Sequence, residues 1–146
     1  MEVEIKAVCG DIAEMSKKLV KLGASPLKTV RQIDTYFNSP VRDFRKTNEY
    51  LRVRENVGGN SKLDYHVNVS DGINKEFEVQ DSDPQTIMEM LKALGVKELG
   101  KIDKERHYLK FKDFMIVLDD VAGIGRFMEI ELECDDESQT KKCRER

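Results

Sequence analysis

Along most of this chain apolar and polar residues alternate with a period of two, the spacing at which successive side chains of a β-strand point to opposite faces. The first such stretch, Glu2-Val3-Glu4-Ile5-Lys6, sets Val3 and Ile5 on one face and Glu2, Glu4 and Lys6 on the other. Strands are predicted again from about Lys28 to Asn38, closed by Ser39-Pro40, and from Tyr50 to Val57, closed by the hairpin turn Gly58-Gly59-Asn60. Lys62 to Val69 ends at the turn pair Asp71-Gly72, and Asn74 to Gln80 follows. Lys101 to Phe111, Phe114 to Val121 and Phe127 to Glu133 complete eight strands, separated by Lys112-Asp113 and by Ala122-Gly123-Ile124-Gly125.

Two segments change to helical spacing. Asp11 is placed to cap a helix carrying Ile12, Met15, Leu19 and Leu22, and Gly23 can end it. Asp83-Pro84 opens a second, with Ile87, Leu91 and Leu94 on one face and Gly95 behind it. The loop with Arg42, Arg45 and Lys46 carries no periodicity. A weak internal repeat is visible: Glu2-Val3-Glu4-Ile5 and Glu76-Phe77-Glu78-Val79 each precede a helix that stops at Leu-Gly, Leu22-Gly23 and Leu94-Gly95.

A length of 146 residues suits one domain, and 39% hydrophobic residues suffice for a core. With 25 Lys+Arg against 28 Asp+Glu, the net charge of -3 provides no basic field for nucleic acid. No apolar run reaches the roughly 18 residues of a membrane span, and the acidic start is unlike a signal peptide, so a cytoplasmic protein without membrane or nucleic-acid partners is expected. Cys9, Cys134 and Cys143 lack metal-site spacing and read as reduced thiols. Residues 134–146 (CDDESQTKKCRER) have no apolar period and read as a polar tail after a domain spanning 1–133.

Charge changes the picture most. Five strands carry pairs at i, i+2, segregated by sign: Glu2/Glu4, Arg52/Arg54, Glu76/Glu78, Lys104/Arg106 and Glu129/Glu131. On a flat sheet these are a solvent face with weak cross-strand ion pairs. On a sheet closed into a barrel they converge on one cavity. Carboxylates offer hard oxygen ligands to Mg²⁺ or Mn²⁺, and Arg forks and Lys ammonium groups complement phosphate. The ligand that satisfies both sets is a metal-bound polyphosphate. P-loop, GxSxG and HExxH patterns are absent, and Gly123-Ile124-Gly125 lacks the strand-then-helix context of a nucleotide loop. His66 and His107 read most simply as strand histidines.

Glu2-x-Glu4-x-Lys6 resembles the ExExK signature of the CYTH domain, or triphosphate tunnel metalloenzymes. Further matches follow in that family's order: Asp34-Thr35-Tyr36-Phe37, Leu51-Arg52-Val53-Arg54, Glu76-x-Glu78, Lys104-x-Arg106 with Tyr108, Leu118-Asp119-Asp120-Val121, and Gly125-Arg126-Phe127-Met128-Glu129-Ile130-Glu131. The segment Asp34–Phe37 looks most like the class IV adenylate cyclase branch. The resemblance implies an α+β fold: an eight-stranded antiparallel β-barrel, or tunnel, with a polar interior and at least two helices outside. It implies Glu2, Glu4, Glu129 and Glu131 as metal ligands or their neighbours. Lys6, Arg52, Arg54, Lys104 and Arg106 would bind a triphosphate together with His66, Glu76 and Glu78, and Glu2, Glu4, Lys6, Asp119 and Glu129 would form the catalytic set.

The implied activity is conversion of ATP to cyclic AMP and pyrophosphate. The alternatives are hydrolysis of inorganic or thiamine triphosphate, and a tunnel that binds polyphosphate without turnover. A homodimer is compatible with the resemblance. The chain departs from the family pattern in three places. Tyr65-His66-Val67-Asn68 stands where a fourth-strand Lys is usual, Asn74-Lys75 where an Arg often precedes the fifth-strand carboxylates, and the polar tail where many members have a helix. Two phosphate-binding cations are therefore expected to be missing.

Overall fold

The computed structural model describes residues 2–133 and contains all eight expected strands. They are β1 (Glu2–Val8), β2 (Ser25–Asn38), β3 (Glu49–Asn56), β4 (Ser61–Ser70), β5 (Ile73–Asp81), β6 (Lys97–Phe111), β7 (Phe114–Val121) and β8 (Gly125–Glu133). They form a closed antiparallel barrel in the order β1-β5-β4-β3-β2-β6-β7-β8. Three helices accompany it among the described residues: α1 (Ile12–Lys21), α2 (Phe44–Thr47) and α3 (Pro84–Ala93). The polar tail 134–146 lies outside the described residues.

Two expectations are corrected. β2 and β6 begin earlier than Lys28 and Lys101, running through Pro26 and Gly100. Pro26 is tolerated because it is the second residue of its strand. The loop after Pro40 contains α2, one turn whose N-cap Asp43 accepts a hydrogen bond from the Arg45 N–H and which ends at Asn48 in the left-handed region, φ 54°. A single turn is too short to register as a period; Phe44 holds it, buried with its ring 6.0 Å from that of Tyr65.

The described residues divide into two compact units, 2–31 with 104–133, and Gln32–Asp103. In the first, Ile12, Met15 and Leu19 of α1 cover a core of Cys9, Ala24, Leu109, Ile116 and Leu118, with Phe111, Met128 and Ile130 beside it. Burying each such aliphatic side chain stabilises by about 1.5–3 kcal/mol. Cys9 is a buried free thiol. Val3 is buried, but Ile5 stays 57% exposed; strand alternation put both on the apolar face, and helical cover reaches only part of it.

In the second unit Met88 of α3 packs with Phe37 and Val53, ringed by Leu51, Leu63, Ile87, Leu91 and Val96. The two longer helices are built alike. Asp11 accepts from the Glu14 N–H and Asp83 from the Thr86 N–H. Gly23 and Gly95 follow at φ 107° and 86°, a conformation that glycine adopts without strain. The repeated words of the sequence thus fold into the same strand–helix unit once in each half.

On the strand faces turned away from these helices the residues are charged and nevertheless buried. They are Lys104, Arg106, Asp119 and Glu129 in the first unit, and Asp34, Arg52, Arg54, Asp64 and His66 in the second. Because the sheet closes, that face is the inner one.

Candidate active site

In the first unit strand register assembles the charges. Glu4 of β1 stands opposite Glu131 of β8, and Lys6 opposite Glu129. Arg106 of β6 stands opposite Asp119 of β7. Glu2, Glu4 and Glu131 each offer a carboxylate oxygen, all within 4.8 Å of one another. Beside them Arg106 donates to Asp119 from Nε at 2.7 Å and from Nη2 at 2.6 Å, and from Nη2 to Glu129 at 3.2 Å. Lys104 Nζ lies 3.5 Å from Asp119, and Lys6 Nζ 3.2 Å from Glu129.

Five carboxylates, Glu2, Glu4, Asp119, Glu129 and Glu131, thus meet three cations, Lys6, Lys104 and Arg106. The excess negative charge falls on the triad. Burial, opposed by Arg106 and reinforced by Glu129 and Glu4, pushes the Glu131 carboxyl up to about 7. Burial and then Glu129 also raise Glu4. Burial opposes ionisation of Glu129 and Asp119 as well, but Arg106 holds both below the usual carboxylate range. Converging carboxylate oxygens with surplus negative charge are the donor set that a hard divalent cation fits, and Glu2, Glu4 and Glu131 are placed to hold one.

The second unit is closer to balance. Arg54 donates to Asp34 from Nε at 2.7 Å and from Nη2 at 2.8 Å. Arg52 makes the same fork to Asp64, with Nε at 3.0 Å, and its Nη1 lies 3.9 Å from Asp34. Lys62 Nζ reaches Glu78 at 2.7 Å, Asp64 at 3.7 Å and Glu76 at 3.8 Å. His66 Nε2 lies 3.2 Å from Glu76 and 3.4 Å from Asp64, and its ring stacks on Tyr50 at 4.2 Å. Burial disfavours the imidazolium, but the bonds to Asp64 and Glu76 outweigh it and raise the His66 pKa. Burial likewise works against the Asp64 carboxylate, yet His66 and Arg52 hold it well below its usual range.

Every residue expected from the sequence lies in one of these clusters. Glu2, Glu4, Lys6, Lys104, Arg106, Asp119, Glu129 and Glu131 belong to the first unit, and Arg52, Arg54, His66, Glu76 and Glu78 to the second. Glu129, expected among the metal ligands, is engaged by Lys6 and Arg106, beside the triad of converging oxygens. Three residues of the clusters were given no role from the sequence, Asp34 having been quoted only within the Asp34–Phe37 match. Asp34 and Asp64 are the fork partners of Arg54 and Arg52 and stand directly opposite them. Lys62 supplies β4 with a cation on the face of Asp64 and His66. The turn at Gly58-Gly59 was the available signal: counting outward from it pairs Arg54 with Lys62 and Arg52 with Asp64. Although the usual fourth-strand Lys is absent, β4 thus carries a cation on its charged face. Lys75 does not replace the fifth-strand Arg, since its Nζ lies 5.3 Å over the Phe77 ring on the other face.

The CYTH domain sequence profile matches residues 1–146. A Methanocaldococcus jannaschii protein, provisionally named an adenylate cyclase, is 38% identical over 145 residues, which is 97% of this chain and 82% of that one. A solved Pyrococcus horikoshii structure superposes with a TM-score of 0.88 at 31% identity, covering 99% of this chain and 85% of the other. A Hippeastrum protein, provisionally named an adenylyl cyclase and described with a dominant triphosphatase activity, shares the fold at 20% identity and a TM-score of 0.64, covering 99% and 85%.

Proposed function

The chain belongs to the CYTH domain family, and on that premise we propose that it is a metal-dependent enzyme that acts on a nucleoside triphosphate, converting ATP to cyclic AMP and pyrophosphate. The observation that carries this reading is the surplus of negative charge at Glu2, Glu4 and Glu131 next to the buried cations Arg106 and Lys104. Glu2, Glu4 and Glu131 hold Mg²⁺ or Mn²⁺, with Glu129 as their neighbour. When bound, the ion supplies the positive charge that activates an attacking hydroxyl and offsets charge on phosphate oxygens.

This chain's own residues do the rest. Lys6, Lys104 and Arg106 bind phosphate oxygens in the first unit; Arg52, Arg54, Lys62 and His66 are the cations of the second. Asp119 is a positioning residue: it fixes the plane of Arg106 with two hydrogen bonds and leaves that guanidinium charged and oriented for substrate. Asp34 and Asp64 do the same for Arg54 and Arg52. Glu76 and Glu78 hold His66 and Lys62. Preorganised charge of this kind serves phosphoryl chemistry because little reorganisation is required when the transition state forms. Lys62 and His66 also weaken the reading of a non-catalytic tunnel, which rested on missing cations.

The test is a product assay with ATP, inorganic tripolyphosphate and thiamine triphosphate, each with Mg²⁺ and with Mn²⁺. Cyclic AMP and pyrophosphate from ATP support the proposal. Orthophosphate release makes the protein a triphosphatase, and a dead assay with every substrate and metal removes the enzymatic reading.

A further inference from the structure

The second unit contains a cavity of about 330 Å³ whose lining is mostly apolar and includes Tyr36, Phe37, Phe44, Tyr50, Gly100 and Ile102. Its size is that of a small-molecule site. Tyr36 and Tyr50 meet edge to face, with ring centroids 5.8 Å apart. Tyr50 also connects this wall to the phosphate-binding residues, because the Arg52 guanidinium lies 5.2 Å from the centre of its ring.

Gly100 adds an independent sign of a ligand. It lies inside β6, where glycine weakens a strand, and its φ is not in the left-handed region. A Cβ added there would meet no heavy atom within 4 Å. Among the described residues neither a left-handed backbone nor a neighbouring atom requires a glycine there. Close approach of a ligand is a recognised reason for glycine within a strand, and the space in front of Gly100 is open to one.

We infer that this cavity receives the base of a nucleoside triphosphate, the inference resting on the function proposed above. Inorganic triphosphate has no group to place against tyrosine and phenylalanine rings, whereas a flat heteroaromatic base does. Charge selects among ring systems. On the lining, Glu49 is held by the Arg42 fork, with both contacts at 2.8 Å, and Arg45 is held by Asp43 at 2.9 Å. Among the described residues Lys101 is the remaining charge on the lining, and a neutral base fits beside it better than a cationic thiazolium ring.

The test is calorimetric titration of the wild type, Gly100→Leu and Tyr36→Leu with ATP, thiamine triphosphate and inorganic tripolyphosphate, each with Mg²⁺. The wild type binds ATP about tenfold more tightly than tripolyphosphate, and both variants bring that ratio to about one while tripolyphosphate affinity holds. Reading the ratio cancels any general loss of fold. Equal affinity of the wild type for ATP and tripolyphosphate overturns the inference and leaves the proposed function standing. So does an unchanged ratio in both variants, or tighter binding of thiamine triphosphate than of ATP. Failure of the wild type to bind any of the three overturns the proposed function as well.

Discussion

Arg106 and Asp119 stand opposite each other on β6 and β7 and are joined by two parallel hydrogen bonds of 2.7 and 2.6 Å, both side chains buried. A buried fork of this kind adds little net stability over an apolar pair, but losing one partner strands a charge. Asp119→Asn is therefore expected to destabilise by about 3 kcal/mol, the low end for a broken buried pair because Glu129 still contacts Arg106. Urea unfolding of Asp119→Asn and of the double variant Arg106→Met/Asp119→Leu checks this: the double variant should be the more stable of the two.

The Glu131 carboxyl at about 7 makes metal binding pH-dependent. Its folded pKa lies above its ordinary 4.5, so the folded state holds the extra proton between those values, and metal-free stability falls as pH rises through that window. A cation at Glu2, Glu4 and Glu131 removes the repulsion and competes with that proton. The Tm gain from Mg²⁺ should consequently be larger at about pH 8 than at about pH 6. In Glu131→Gln, metal-free protein should melt higher than the wild type at about pH 8 and the Mg²⁺ gain should nearly vanish.

In the proposed function Lys62 serves as the phosphate-binding cation of the fourth strand. Lys62→Gln should weaken tripolyphosphate binding about tenfold or more, the effect of one lost charged contact, with little change in Tm because its tightest partner, Glu78, has a side chain 45% exposed. Titration calorimetry beside a melting curve separates the two effects.

His66 adds a stability dependence of the same sign as that of Glu131 and a ligand-binding dependence of the opposite sign. Asp64 and Glu76 raise its folded pKa above 6.5, so its stabilising charge is fully present below about pH 6.5 and is lost as pH rises through the folded value. His66→Gln should therefore lose more stability, and more tripolyphosphate affinity, at about pH 6 than at about pH 9. Equal losses at both values would show that the ring acts through its stacking on Tyr50 alone.

Much of this architecture was legible one strand at a time. Alternation over Glu2–Lys6, Arg52–Arg54 and Glu129–Glu131 assigned each charge to a face, and Asp11, Gly23, Asp83 and Gly95 bounded the longer helices to within a residue or two. Where the reading fell short, the signal was either too brief or dispersed. α2 is a single turn, and β2 and β6 run through Pro26 and Gly100, residues that usually break strands. Asp64 passed as an ordinary alternating polar residue and Asp34 stood only within the Asp34–Phe37 match without a role, since their importance comes from standing opposite Arg52 and Arg54.

The sequence by itself determined the elements, the two-faced strands and the segregation of charge by sign, because side-chain direction along a strand follows from local backbone geometry. Alternation alone left open whether Glu2 and Glu4 lay on a solvated face or an inner one, and the family resemblance implied the inner one. Only the tertiary structure decided that, through pairings between residues far apart in the chain. Closing the sheet makes the charged face the inner one, and the β1–β8 register sets Glu4 against Glu131. Repulsion between carboxylates that water would have screened thereby becomes a site with a reason to hold a cation.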